Sequence, residues 1–385
     1  MSATLPDKPR RILVRGVNWL GDAVMTTPAL LRLRERFPDT RIVLATPEKL
    51  AGLWPGHPAV DEVLSIAAGE SVWSVGKRIR SVGADVAVVF PNSFRTALEV
   101  WLGGVPSRIG VGANARGFLL TKVVAPRGGM QRMRKRSVAE IRSLVGGKNP
   151  PEPVVYRNSD HQLHHYLHLV GVLGTSPELV APRLVVSASE TQAARERFGI
   201  STGGGVWVGL NAGAEYGPAK RWPRERFVAA AIELSKKTGC RWIVFGGKAD
   251  ADLASGITAQ IQHGIHRQGG GDGVSVVNVA GQTSLRELCV LLDVCKVVLT
   301  NDTGPMHVAA AMGTPVVVPF GSTSPELTGP GLPGDPVHSF LRSNAVCSPC
   351  FLRECPVDFR CMQGVYVENV VSAVSRYLDE SGPVT

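Results

Sequence analysis

Short apolar runs recur along this chain, and most are followed by a loop of small residues and then by a helical pattern. Arg11 to Arg15 is such a run, with Gly16 to Gly21 as its loop, a helical pattern from Ala23 to Arg36 that Pro38 ends, and a second run at Arg41 to Ala45. Strands joined by helical crossovers pair in parallel, so this stretch reads as a βαβ unit. Further strands are predicted at Asp85 to Phe90 and Ser107 to Val111. The second half repeats the pattern at Val206 to Leu210, Arg241 to Phe245, Ser275 to Val279, Lys296 to Thr300 and Val316 to Phe320. Helices are predicted after Pro223, from Ser284 to Leu292 behind the capping-box spacing of Ser284 and Glu287, and from Met306 to Met312. Parallel sheets must be covered on both faces, so the fold class is α/β with two doubly wound sheets and a cleft between two similar lobes.

A chain of 385 residues favours two domains of the usual size of about 100 to 200 residues. The extended segment Pro182 to Ser187 sets the boundary, giving an N-terminal domain of residues 1–185 and a C-terminal domain of residues 186–385. Between Gly128 and Pro153 the glycines, prolines and basic residues read as a mobile loop or linker. A hydrophobic share of 44% with 19% charged residues excludes disordered, collagen-like and disulfide-scaffold chains. The longest apolar stretch, Met306 to Phe320, is broken by His307 and Pro315 and falls short of the roughly 18 residues a spanning helix needs. The apolar run near the start, Ile12 to Val14, is too short for a signal-peptide core, so a cytoplasmic location is expected. A formal charge of +10 calls for nucleic acid, an anionic membrane surface or a phosphorylated substrate as a partner. Gly128 to Arg142 carries no aromatic residue on which bases could stack, which argues against nucleic acid.

In open α/β sheets ligands bind at the carboxyl ends of strands, so the informative residues follow strands directly. The loop Gly16-Val17-Asn18-Trp19-Leu20-Gly21-Asp22-Ala23 has the GxxxxG spacing of a P-loop, but Asp22 stands in place of the phosphate-binding lysine and Ala23 in place of the hydroxyl. It also lacks the GxGxxG of a dinucleotide site. Asp22 therefore reads either as a general base, kept ionised by the helix beginning beside it, or as that helix's cap. Asn301-Asp302-Thr303-Gly304-Pro305-Met306-His307 places a helix N-terminus after a strand, an anion site by geometry or an ordinary capped helix. His307 alone reads equally as a packed helix residue. Ala212 to Pro223 combines small residues with Lys220 and Arg221, as a diphosphate leaving group requires.

Asn18 to Met25, Gly213 to Pro223 and Asn301 to Ala310 resemble the three signature segments of the ADP-heptose:lipopolysaccharide heptosyltransferases of glycosyltransferase family 9, most like the heptosyltransferase II group. With Pro106-Ser107-Arg108-Ile109-Gly110 the resemblance spans roughly residues 10–375. It implies the two-lobed GT-B fold and inverting transfer of heptose from ADP-heptose to the inner core of lipopolysaccharide, the second heptose addition. Asp22 matches the base. Lys220, Asp302, Thr303, Gly304 and His307 match donor-binding positions, Asp250 matches an acid near the ribose, and Asn18 falls on the acceptor side. The phosphorylated acceptor, lipid A with its core at the inner face of the cytoplasmic membrane, gives the basic charge a use through Arg132, Arg134, Lys135 and Arg136. No cofactor is expected, because cationic side chains and a helix N-terminus can neutralise a departing diphosphate without a metal. A sugar-nucleotide epimerase or hydrolase, or a transferase using another nucleotide sugar, is the alternative enzyme.

Seven cysteines do not form a secreted disulfide framework. Four of them, Cys347, Cys350, Cys355 and Cys361, are enough for a structural zinc site but lack a familiar spacing, so free or partly paired thiols are expected. His161, His164, His165 and His168 share a helical face, which suits a half-exposed helix as well as it suits metal ligands.

Overall fold

Six parallel strands form the first sheet: β1 (Arg11–Arg15), β2 (Arg41–Pro47), β3 (Glu62–Ile66), β4 (Val86–Val89), β5 (Ser107–Val111) and β6 (Lys122–Val124). The computed structural model describes residues 6–147, 154–267 and 275–379, so the last part of the expected linker, residues 148–153, lies outside the described residues. The spatial order is β3-β2-β1-β4-β5-β6, with Leu13 of β1 in register with Val43 of β2 and Ala87 of β4. The chain therefore begins in mid-sheet and reverses its winding between β1 and β4, and the loop after β1 opens at that switch point.

The second sheet repeats the plan with β7 (Trp207–Asn211), β8 (Arg241–Phe245), β9 (Val276–Asn278), β10 (Val297–Thr300), β11 (Val316–Phe320) and β12 (Ser339–Arg342), ordered β12-β11-β10-β7-β8-β9. Here the switch lies between β7 and β10, where Leu210 pairs with Leu299, and the loops after these two strands are neighbours. β7, β8, β10 and β11 are buried along their whole length, as expected of valine- and leucine-rich strands covered by helices on both faces. Fully burying each such side chain contributes about 1.5–3 kcal/mol.

The chain divides into two compact units, residues 1–130 with 161–185, and residues 131–160 with 186–385. Segment 131–160, assigned above to the N-terminal domain, thus belongs to the second unit. Its Arg136 amide bonds the carbonyl of Cys350 at 3.0 Å, and Ile141 packs against Cys347, Cys350 and Leu352. Nor is this region all linker. Val138–Gly146 is a helix opened by a capping box of Ser137 and Glu140, a signal that the sequence carries and the composition of the stretch obscures.

The helical pattern after β1 also breaks in two, Leu20–Met25 and Thr27–Arg36, because Pro28 has no amide to continue the ladder. The hydroxyls of Thr26 and Thr27 donate instead to the carbonyls of Ala23 and Val24, at 2.7 and 2.8 Å. His161 caps Gln162–Gly171 by accepting from the Leu163 amide at 3.2 Å, so it stands before the helix rather than on its face.

Two histidines are held neutral by burial, His57 in the first unit and His338 in the second, each with its pKa lowered from 6.5 to about 4. The unfolded chain takes up these protons near pH 6.5 and the folded chain only near pH 4. Their contribution is therefore complete above pH 6.5 and is lost as the pH falls toward 4, on the order of 3 kcal/mol each. Acid melts of His57→Gln should show a shallower loss of stability than wild type across that window. An unchanged slope would contradict the assignment.

Candidate functional site

In the first unit the loop after β1 is held by a buried ion pair. Arg15, at the end of β1, donates through Nε to Glu99 Oε2 at 2.8 Å, with side-chain exposures of 4% and 0%, and through a second nitrogen to the Gly16 carbonyl at 2.7 Å. The N-cap of Leu20–Met25 falls on Trp19, whose side chain makes no cap bond, so Asp22 lies within the first turn rather than at the cap. It is half-buried, and Asn18 beside it is exposed. Asp22 lies near Tyr166, a residue the sequence did not single out. Burial first, and then the Asp22 charge, push the Tyr166 phenol far above its ordinary value, so it stays protonated beside the carboxylate. Tyr166 is fixed in turn against Phe90 at the end of β4, with ring centroids 5.3 Å apart.

In the second unit the two loops at the switch point are tied by Asn301. It is fully buried, its Oδ1 accepts from the Trp222 amide at 2.9 Å, and its Nδ2 donates to the Ala212 carbonyl at 2.8 Å. This bridge brings Lys220, on the turn Pro218–Lys220, to Asp302, with Nζ and Oδ2 2.7 Å apart. Asp302 is buried and also accepts from the Thr323 hydroxyl. Thr303 is the extended N-cap of Gly304–Ala311 but its side chain makes no cap bond, which leaves this helix start open to an anion. His307 is buried within the same helix.

Asp302 already balances the Lys220 charge, so surplus positive charge here comes from neighbours. Arg221 lies 3.7 Å from Asp250, whose Oδ2 accepts from the Gly247 amide at 3.3 Å. A Cβ at Gly213 would stand 2.4 Å from Asp250 Oδ2, so any larger residue there would displace that carboxylate. Arg353, which the sequence reading missed, carries an exposed guanidinium 5.0 Å from the Tyr216 ring centroid, and Lys220 Nζ lies 4.9 Å from the same centroid. The Arg353 carbonyl accepts from the Ala219 amide at 3.0 Å, while Gly217, at φ +151°, would place a Cβ 2.5 Å from that oxygen. The sequence signal was slight, one arginine far along the chain that only folding brings to this loop.

The cysteine-rich segment that carries Arg353 holds free thiols. Burial, then the nearby Cys347, Cys350 and Cys355, push Cys361 up to about 12, and burial raises Cys347 and Cys350 as well. Among the described residues no three His, Cys, Asp or Glu side chains are placed to hold a metal ion. This holds for the four cysteines, for the histidines of 161–168, and for Asp250-Ala251-Asp252, an Asp-x-Asp sequence that the expectation of a reaction without metal had overlooked. The basic run divides. Arg132 and Lys135 are exposed, Arg134 pairs with Glu140, and Arg136 is buried with a guanidinium nitrogen donating to the Val346 carbonyl at 3.3 Å. Arg136 is therefore a packing residue of the second unit and is not an exposed cation for an acceptor.

Residues 72–359 match the family described as Glycosyltransferase family 9 (heptosyltransferase). The chain belongs to this family. As a family 9 glycosyltransferase, it is 29% identical over 330 residues to lipopolysaccharide heptosyltransferase 2 of Escherichia coli strain K12, covering 83% of this chain and 85% of the relative. It is 28% identical over 324 residues to lipooligosaccharide heptosyltransferase 2 of Haemophilus influenzae, covering 83% and 85%. The solved structure of the E. coli ADP-heptose LPS heptosyltransferase II aligns over 96% of this chain and 98% of that one, with a TM-score of 0.72 and 26% identity. A family 9 structure from Veillonella parvula shares the fold at a TM-score of 0.74 and 21% identity, over 99% and 100%. The two doubly wound sheets are those of a GT-B glycosyltransferase.

Asn301→Ala should orphan the Trp222 amide and the Ala212 carbonyl, at about 1–3 kcal/mol for each group. Denaturant unfolding of the variant measures that loss. Stability within about 0.5 kcal/mol of wild type, the size of an ordinary surface substitution, would show that the loops hold without the bridge.

Proposed function

We propose that this chain transfers a heptose from ADP-heptose to the inner core of lipopolysaccharide, as the second heptose addition, with inversion at the anomeric carbon. The observation that carries the reading is the Lys220–Asp302 pair beside an uncapped helix start, in a family 9 chain. The names of the relatives support the sugar, the acceptor and the step.

In this reading Asp22 takes the proton of the acceptor hydroxyl as its oxygen attacks the anomeric carbon from the face opposite the nucleotide. The carbon–oxygen bond to the diphosphate breaks, and ADP leaves with the electron pair. Lys220, Arg353 and the amides at Thr303 and Gly304 offset the charge that develops on the departing phosphate. Asp302 fixes the Lys220 ammonium in place, so little reorganisation accompanies the charge transfer. Asp250 sits beside Arg221 and suits the ribose. Asn18, Arg132 and Arg134 are assigned to the acceptor, and the reaction requires no cofactor. The acceptor is membrane-anchored, so the enzyme works as a peripheral protein at the inner face of the cytoplasmic membrane. Among the described residues no helix is long and apolar enough to cross a membrane.

ADP release from ADP-heptose, measured with and without a heptose-truncated lipopolysaccharide, tests the reaction, and mass spectrometry of the acceptor reads the product. Acceptor-dependent release with a gain of one heptose is expected. Release without acceptor would point to hydrolysis or epimerisation and overturn the proposal. Asp22→Asn should lower transfer by about 10²–10⁴-fold while leaving donor affinity nearly intact. Lys220→Ala and Arg353→Ala should each weaken donor binding by about tenfold or more, the usual range for a charged hydrogen bond. Equal losses of donor affinity in the Asp22 and Lys220 variants would refute the division of roles.

A further inference from the structure

One face of the first unit carries several exposed aromatic side chains. On the helix Phe94–Leu102, Phe94, Leu98 and Trp101 fall at i, i+4 and i+7 and share one side, and the two aromatics are 42% and 47% exposed. The Phe94 ring meets Phe118, which is 75% exposed, with centroids 6.1 Å apart, and so carries the apolar surface onto the turn Gly117–Leu119. The neighbouring helix Val72–Val82 shows Trp73, 71% exposed, then Lys77 and Arg80 at the same spacing. These helices pack side by side at glycines. A Cβ on Gly76 would lie 2.7 Å from Leu102 Cβ, and one on Gly103 would lie 2.4 Å from Ile79 Cγ2.

The charge on this face has one sign. Glu70 is paired with Arg78, and Glu99 is buried against Arg15 and Arg95. Among the described residues Lys77 and Arg80 have no acidic partner; Arg80 donates only to the Leu102 carbonyl. Tryptophan and phenylalanine beside lysine and arginine form the composition that settles at a bilayer interface, rings among the headgroup carbonyls and cations against anionic lipid. Phe94 and Phe118 follow β4 and β5, and parallel strands share one carboxyl edge. The aromatic stripe therefore begins at the edge that also carries the Asp22 loop after β1.

We infer that this face, built from Trp73, Phe94, Trp101 and Phe118 with Lys77 and Arg80, seats the first unit on an anionic lipid bilayer. The inference names the surface behind the peripheral location proposed above, and its test does not require transfer activity. Bilayer seating would hold the acceptor edge of the sheet against the layer in which a lipid-anchored acceptor is embedded.

Co-sedimentation of the full chain with vesicles of phosphatidylethanolamine and phosphatidylglycerol provides the test, with pure phosphatidylcholine vesicles for comparison. Binding should rise with the phosphatidylglycerol fraction and fall with added salt. The pair Trp101→Ser with Phe118→Ser should weaken it by about tenfold. Lys77→Glu with Arg80→Glu should weaken it by about tenfold at low salt and abolish the salt dependence. All four side chains are exposed, so melting temperatures should match wild type. No vesicle binding by the wild-type chain, or equal binding by the folded variants, would overturn the inference. So would a wild-type dimer in sedimentation velocity that the aromatic variant dissociates without any change in vesicle binding, which would make the face a contact between copies. Vesicle binding without heptose transfer would leave this inference standing and remove only the proposed reaction.

Discussion

The second unit depends on the two hydrogen bonds by which Asn301 ties two loops together. A buried amide side chain costs stability unless both its oxygen and its nitrogen are used, and here each is spent on the backbone of the loop after β7. The loop after β10 is thereby locked to the loop that carries Lys220. Asn211, at the end of β7, adds a third tie by donating to the Thr300 hydroxyl at 3.1 Å. The charged pair of Lys220 and Asp302 is positioned by these neutral hydrogen bonds and does not itself organise the loops.

That pair has an electrostatic consequence. A half-buried lysine with a buried carboxylate at 2.7 Å is a nearly neutral unit, so its value to an anionic ligand lies in direction more than in net charge. The remaining positive potential is supplied by the uncapped start of Gly304–Ala311 and by Arg353 across the Tyr216 ring. Tyr216 is held by its hydroxyl, which donates to the Phe351 carbonyl at 2.9 Å, so the cysteine-rich segment acts as a brace for this loop. The first unit solves a related problem differently. Arg15 and Glu99 anchor the β1 loop from below the sheet edge, and a buried phenol stands beside the Asp22 carboxylate.

The α/β class and the winding of both sheets were legible because a parallel strand buried on both faces is a continuous apolar run, and most runs in this chain are followed by a loop of small residues. β3, β6 and β12 were missed because edge strands are partly exposed and their apolar residues thin out, as in Glu62–Ile66 and Lys122–Val124. The helix Val138–Gly146 was hidden by its glycine-rich and basic surroundings despite its capping box. The sequence singled out the loops that hold Asp22, Lys220 and Asp302, since those loops follow central strands. Tyr166, Asn301 and Arg353 were not singled out in those terms, because their partners are distant in sequence.

The sequence by itself determined what is local and periodic: strands from apolar runs, helix starts from capping residues, loop chemistry from small and charged residues at strand ends. Tertiary structure alone decided which residues meet. Segment 131–160 joined the second unit because Ile141 found apolar partners among the cysteines and Arg136 found backbone carbonyls there. Arg353 reached Tyr216, and Trp101 stayed in solvent, for the same kind of reason. Burial and long-range hydrogen bonding are properties of pairs of residues, and a pair far apart in the chain leaves no periodic trace in either segment.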